Sequence, residues 1–123
     1  SNQSAPDFQD LPTDAAGTPL WQAVATKAMR DWNAEWGNLG LVAGATYPDE
    51  LHAIRTLCGD GVPLLIPGVG AQGGDAATTL LHGGDTAQQF AVVNVGRAVM
   101  YAGDGDDWVD QVRASARAFA ADL

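Results

Sequence analysis

At 123 residues, 46% of them hydrophobic and 17% charged, the chain has the length and composition of one globular domain with a core of its own, and disorder is excluded. A net charge of -9 argues against nucleic acid as a partner, because that association rests on a positive surface. It does not exclude a small anion, which needs only a local cluster of donors.

No run of about 18 apolar residues is present, so no membrane-spanning helix is expected. The first residues lack a basic patch followed by an apolar run, so no signal peptide is expected either. The single cysteine, Cys58, forbids an internal disulfide and favours a reducing, cytoplasmic setting. It falls at the end of an apolar helical stripe, where a thiol usually serves packing.

Residues 3–17 read as a loop, with Pro6, Pro12 and Gly17 among polar residues. Thr18-Pro19 then predicts a helix start, Thr18 as N-cap and Pro19 in the first turn. Leu20, Val24, Ala28 and Trp32 recur every fourth residue, with Trp21, Ala25, Met29 and Trp36 alongside. That is an amphipathic helix closed by Gly37. Residues 39–45, LGLVAGA, are apolar throughout, as in a strand covered on both faces. A second helix begins at Thr46-Tyr47-Pro48, with Asp49 and Glu50 suited to its N-terminal dipole. Its inner stripe is Leu51, Ile54, Leu57 and Cys58, and Gly59 ends it.

A short buried strand, residues 63–67, leads into a glycine-rich turn, residues 68–74, and a third helix over residues 75–81. A strand over residues 90–95 follows. The last helix starts near Asp106 and is expected to bury Trp108, Val109, Val112, Ala116, Phe119 and Leu123. Regular alternation with short connections implies an α/β fold of parallel strands joined by helical crossovers. Either a doubly wound open sheet or part of a (β/α)8 barrel fits. A whole barrel needs about 250 residues, roughly twice this length. Both architectures place ligands at the C-terminal ends of their strands.

The turn Pro67-Gly68-Val69-Gly70-Ala71-Gln72-Gly73-Gly74-Asp75 sits between a strand and a helix. Its glycines allow close backbone approach, the new helix offers N–H groups to an anion, and Gln72 adds an amide. Gly68, Gly70 and Gly73 spell G-x-G-x-x-G, but the residue about 20 positions on is Asn94 and not the acid that holds a dinucleotide's ribose. The next strand ends in Asn94-Val95-Gly96-Arg97. In a barrel, loops after adjacent late strands recur as a phosphate site, and the arginine fork matches a phosphate. Composition alone leaves Arg97 equally readable as a solvated surface arginine.

LVAGATYPDEL, LLIPGVGAQGGD and VVNVGRAVMYA together resemble the last three strand segments of orotidine 5'-phosphate decarboxylases. The AGAT and PGVGAQGGD wording is nearest the bacterial subgroup with a longer chain. Ser1-Asn2 and Gln9-Asp10-Leu11 resemble the end of the fifth strand and its loop. The likeness runs from Ser1 to about Ala102. It implies that residues 1–123 form the C-terminal half of a (β/α)8 TIM barrel, from the end of the fifth strand through the final helix, without the N-terminal half. The implied reaction is decarboxylation of orotidine 5'-monophosphate to UMP in pyrimidine biosynthesis, with no cofactor and no metal.

Residue by residue, the resemblance makes Gln72 the glutamine spanning phosphate and pyrimidine. It makes Arg97 the phosphate arginine and Gly96 the backbone donor beside it. Pro67 becomes the apolar wall near the base and Ser1 the serine at the pyrimidine edge, while Gly70 and Gly73 belong to the backbone phosphate loop. No catalytic residue is carried over. The family's Asp/Lys network lies in the first half of the barrel, and the only lysine here, Lys27, is mid-helix and spaced to pair with Asp31. The implied partners are a nucleotide (orotidine 5'-phosphate or UMP) and either the N-terminal half or a second copy of the chain. Another phosphate-binding barrel lyase or isomerase, or a non-catalytic nucleotide-binding or assembly piece, are the competing readings.

Other candidates read as structural. His52 and His82 lack partners at metal spacing, and His82 suits a helix C-terminus. Asp104, Asp106 and Asp107 lack the later glutamate of a calcium loop. The four tryptophans, Trp21, Trp32, Trp36 and Trp108, have no interleaved basic residues and read as packing.

Overall fold

The computed structural model describes residue 2 and residues 4–123. Its centre is a sheet of three parallel strands, β1 (Leu41–Val42), β2 (Leu64–Pro67) and β3 (Ala91–Asn94), in the spatial order β1-β2-β3. A doubly wound sheet reverses its strand order at a switch point. Strands that follow one another in space as in sequence are wound in one direction, as in a barrel or in one half of a doubly wound sheet. β1 is shorter than the apolar run 39–45 suggests, yet Ala43 and Ala45 still donate to the carbonyls of Leu65 and Pro67 at 3.0 and 2.9 Å.

Helices α4 (Pro48–Cys58) and α5 (Ala76–Gly83) make the two crossovers and pack on one face of the sheet. The core lies there: Ala43, Ala45, Leu51, Leu64, Ile66, Val69 and Ala76 form one buried cluster. The opposite face is bare. Leu64 and Ile66 are fully buried, whereas Val42, Leu65 and Val92 are 69%, 43% and 57% exposed. Register puts those three side by side, Val42 opposite Leu65 and Leu65 opposite Val92. The strands are apolar on both faces, as expected, but only one face is covered by this chain.

The first helical stretch departs from expectation in detail. Residues 6–9 form a short helix, α1 (Pro6–Gln9), inside the supposed loop. Thr18 is not an N-cap. Its hydroxyl and backbone N–H both donate to Asp14, at 2.7 and 3.0 Å, and Pro19 takes the cap position of α2 (Leu20–Lys27). The helix continues through a π-helical turn, Ala28–Trp32, into α3 (Asn33–Trp36), which ends at Gly37. Only Ala25 and Ala28 of this stretch are buried, while Leu20, Val24, Trp32 and Trp36 are exposed. The stripe is apolar as read, but much of it faces space that the chain leaves empty.

After β3 comes an unforeseen short helix, α6 (Arg97–Met100), and then α7 (Trp108–Ala121). The expected burial along α7 does not occur: Trp108, Val109 and Leu123 are exposed, and Val112 and Phe119 are half-buried. The tryptophans follow the same pattern, with Trp21 half-buried and Trp32, Trp36 and Trp108 exposed. Cys58 packs against the core cluster, and burial pushes its thiol pKa up, which suits a packing role. No helix among the described residues is long and apolar enough to cross a membrane.

Candidate functional site at the strand ends

The three strands end beside one another, and the glycine turn lies across their ends. Gly70 has φ +80°, a left-handed conformation, and a Cβ built there would lie 2.8 Å from the Ala98 Cβ and 3.1 Å from the Phe119 ring. A Cβ at Gly74 would lie 2.7 Å from the Ala45 Cβ. The turn after β2 is therefore packed between the loop after β1 and the segment after β3. Any side chain at Gly70 would push the turn off α6, the helix that Arg97 begins.

Gln72 is exposed at the tip of the turn, and Arg97 is exposed at the first position of α6, immediately after Gly96. Arg97 has no ion-pair partner among the described residues. Pro67, the last residue of β2, lies on the bare face of the sheet, level with Asn94 in β3. Ser1 lies outside the described residues.

Some backbone donors of the turn have partners within the chain. The N–H of Gly70 donates to Gly74 O at 3.0 Å and that of Gly73 to Gly70 O at 2.8 Å, so both close the turn on itself in this conformation. At the N-terminus of α5 the Asp75 side chain accepts from Thr78 N–H at 2.7 Å. That bond holds the Asp75 carboxyl below its usual pKa. An acid in that place disfavours a second anion there. Gln72, the segment Gly96-Arg97 and the exposed tip of the turn are donors beside them.

A separate concavity lies elsewhere. A groove of about 490 Å³ runs along the free edge of β1, lined by Pro6, Trp21, Val24, Val42, Gly44 and Ile54 among others. It touches Pro67 at one end but neither Gln72 nor Arg97. Its apolar walls and its position at an unpaired strand edge suit polypeptide better than a charged ligand. Lys27 takes no part in either place. It is exposed on α2 and pairs with Asp31 at 2.9 Å, and with Arg30 it holds the Asp31 carboxyl far below its usual pKa.

Sequence reasoning missed Arg55. It is buried on α4 and donates to four carbonyls: Gly83 at 2.8 Å, Gly59 at 3.0 Å, Val62 at 2.7 Å and Phe90 at 3.0 Å. These acceptors lie at the ends of both crossover helices and just before β2 and β3, so Arg55 fixes the sheet from its opposite end. The available signal was its position within the stripe Leu51, Ile54, Cys58, where an arginine must find internal acceptors. His52 and His82 meet edge to face with centroids 5.7 Å apart, and no group of three or more metal-ligating side chains is found among the described residues.

The chain is 46% identical over 117 residues to the orotidine 5'-phosphate decarboxylase of Bordetella avium, which covers 95% of this chain and 42% of that protein. The chain belongs to the orotidine 5'-phosphate decarboxylase family. The enzyme of that name from Thermomicrobium roseum is 44% identical over the same length. The chain thus spans about two fifths of the length of the curated relatives it matches, and corresponds to their C-terminal half. Among solved structures, Leishmania donovani UMP synthase aligns with a TM-score of 0.76 and 31% identity, over 98% of this chain and 26% of that one. Leishmania donovani OMP decarboxylase aligns with a TM-score of 0.73 and 27% identity, over 99% of this chain and 44% of that one. No protein-family model matches the chain. The fold is accordingly half of a decarboxylase (β/α)8 barrel.

Proposed function

We propose that this chain supplies the phosphate- and base-holding half of an orotidine 5'-monophosphate decarboxylase, and that β1, β2 and β3 are the sixth, seventh and eighth strands of its barrel. The carrying observation is the packing of the glycine turn against Ala98, which brings the loops after β2 and β3 together, with residues that the resemblance assigns to the ligand on both. Arg97 grips the substrate phosphate through its two-pronged guanidinium, Gly96 N–H and the Gln72 amide complete the cradle, and Pro67 forms an apolar wall for the pyrimidine. Ser1 would hydrogen-bond the pyrimidine edge. The nucleotide partner follows from the same groups, and the setting is cytoplasmic.

Decarboxylation breaks the bond between C6 and the carboxylate, releases CO2 and delivers a proton to C6. A carboxylate facing the leaving group and an acid for the carbanion are required. The only lysine of this chain is tied to Asp31 on the surface, so a lysine acid has to come from the N-terminal half of the barrel, and the resemblance assigns the carboxylate to that half as well. The β1-edge groove and the bare sheet face are the surfaces that this half would cover. The test is an assay with orotidine 5'-monophosphate. The chain alone should give no turnover above the uncatalysed rate, and addition of the N-terminal half of a relative should restore it. Turnover by the chain alone that survives Lys27→Ala would overturn the division of labour. A restored barrel that binds UMP but acts on a different sugar phosphate would favour another phosphate-binding barrel enzyme.

A further inference from the structure

The bare face of the sheet is apolar with one exception. Its lower row is Val42, Leu65 and Val92. Two residues further along each strand, the upper row consists of Gly44, Pro67 and Asn94. Asn94 is exposed, and among the described residues its side chain has no hydrogen-bond partner. Register sets it directly beside Pro67, on strands that run about 4.8 Å apart. The inner layers of such barrels are filled by branched apolar side chains. Once the barrel closes, an amide in that layer must find a partner or remain buried and unsatisfied.

We infer that Asn94 is a specificity residue for the nucleoside part of the ligand, hydrogen-bonding an uncharged polar edge of the ribose or base. This rests on the nucleotide-binding reading above. Depth decides which part of the ligand it meets. Asn94 lies three residues before Arg97, so its Cα is at most about 10 Å below that of Arg97 along the strand direction. A phosphate held by Arg97 is above its reach, whereas the sugar and base that hang from that phosphate lie at its level. Pro67, at the same depth on the next strand, offers only hydrocarbon. Asn94 therefore supplies the polar half of the same wall. A carboxamide carries both donor and acceptor, which matches a hydroxyl or the alternating donor and acceptor of a pyrimidine edge. Gly44, at the third place in the row, leaves the space in front of both residues unfilled by its own side chain.

The test uses the barrel completed with the N-terminal half of a relative. Calorimetric titrations would compare UMP, uridine and inorganic phosphate for wild type, Asn94→Ala and Asn94→Leu, each with its melting temperature. Both variants should weaken UMP and uridine by the same factor, about fivefold or more, and leave inorganic phosphate unchanged. Unchanged uridine affinity in either variant would overturn the inference, whether or not the melting temperature falls, because an amide that serves only the fold does not touch the nucleoside. Failure of the wild-type barrel to bind UMP or uridine would overturn the nucleotide reading itself, and this inference with it.

Discussion

On the proposed reading, Arg97 and Gln72 would hold different shares of one phosphate, because one carries a full charge and a bidentate fork and the other a neutral amide. Truncating a charged hydrogen-bond partner in a buried site costs about 2–5 kcal/mol, against about 0.5–1.5 kcal/mol for a neutral bond. In the completed barrel, Arg97→Ala should weaken UMP by at least about 30-fold and leave uridine unaffected. Gln72→Ala should be milder, and the double variant should lose less than the sum of the two, since both act on one ligand. Equal losses for UMP and uridine in Arg97→Ala would assign Arg97 to the fold instead. Arg55 makes the opposite kind of claim, with no ligand involved. Arg55→Met would leave the carbonyls of Gly83, Gly59, Val62 and Phe90 without their donor. It should lower the unfolding free energy by about 2–4 kcal/mol in urea titrations. UMP affinity of the folded fraction should be unchanged, because these carbonyls lie at the strand ends remote from the glycine turn.

The elements were legible to different degrees, and the differences have physical causes. α4, α5 and all three strands lie where periodicity and glycine punctuation put them, because one apolar face of each is buried by partners within the chain. The stripe along α2 and that of α7 were equally readable as apolar, yet Leu20, Val24, Trp108 and Val109 are exposed. Periodicity reports that a face needs burial, not what covers it. At the site, the wording around Gln72 and Arg97 located the turn and the arginine. It could not foretell that the Gly70 and Gly73 amides close the turn on themselves, since that depends on the φ values adopted there. The N-terminus of α5 makes a testable element. The Asp75 carboxyl sits below its ordinary value of 3.8 because Thr78 donates to it. A depressed folded-state pKa contributes stability that is fully present above the unfolded value and is lost as pH falls through the folded one. Asp75→Ala should thus lower the melting temperature near neutral pH. The gap from wild type should narrow below about pH 4. A gap that stays constant down to pH 2 would show that the carboxylate does not cap the helix.

The molecule as a whole carries three uncovered apolar surfaces: the bare face with Val42, Leu65 and Val92, the β1-edge groove with Leu20 and Val24, and α7 with Trp108 and Val109. Both outer strands also present unpaired edges. On β1 the residues that bond to β2 are Leu41, Ala43 and Ala45, so the intervening backbone groups of Val42 and Gly44 point to the open side. A parallel sheet normally has both faces covered, and an open edge recruits further strands. The net charge of -9 gives some protection through mutual repulsion, but it is screened beyond about 8 Å at physiological salt, whereas strand pairing and apolar contact act at shorter range. The isolated chain should therefore associate, and supplying the N-terminal half of a relative should replace self-association by a one-to-one complex. Light scattering at about 100 µM, in the range where exposed apolar surface drives association, should give a mass above that of one chain. Adding the N-terminal half should shift it to the sum of the two pieces, with a cooperative thermal transition that neither piece has alone. A stable monomer at that concentration, indifferent to the added half, would mean that these surfaces are tolerated as they stand and that the chain does not complete a barrel.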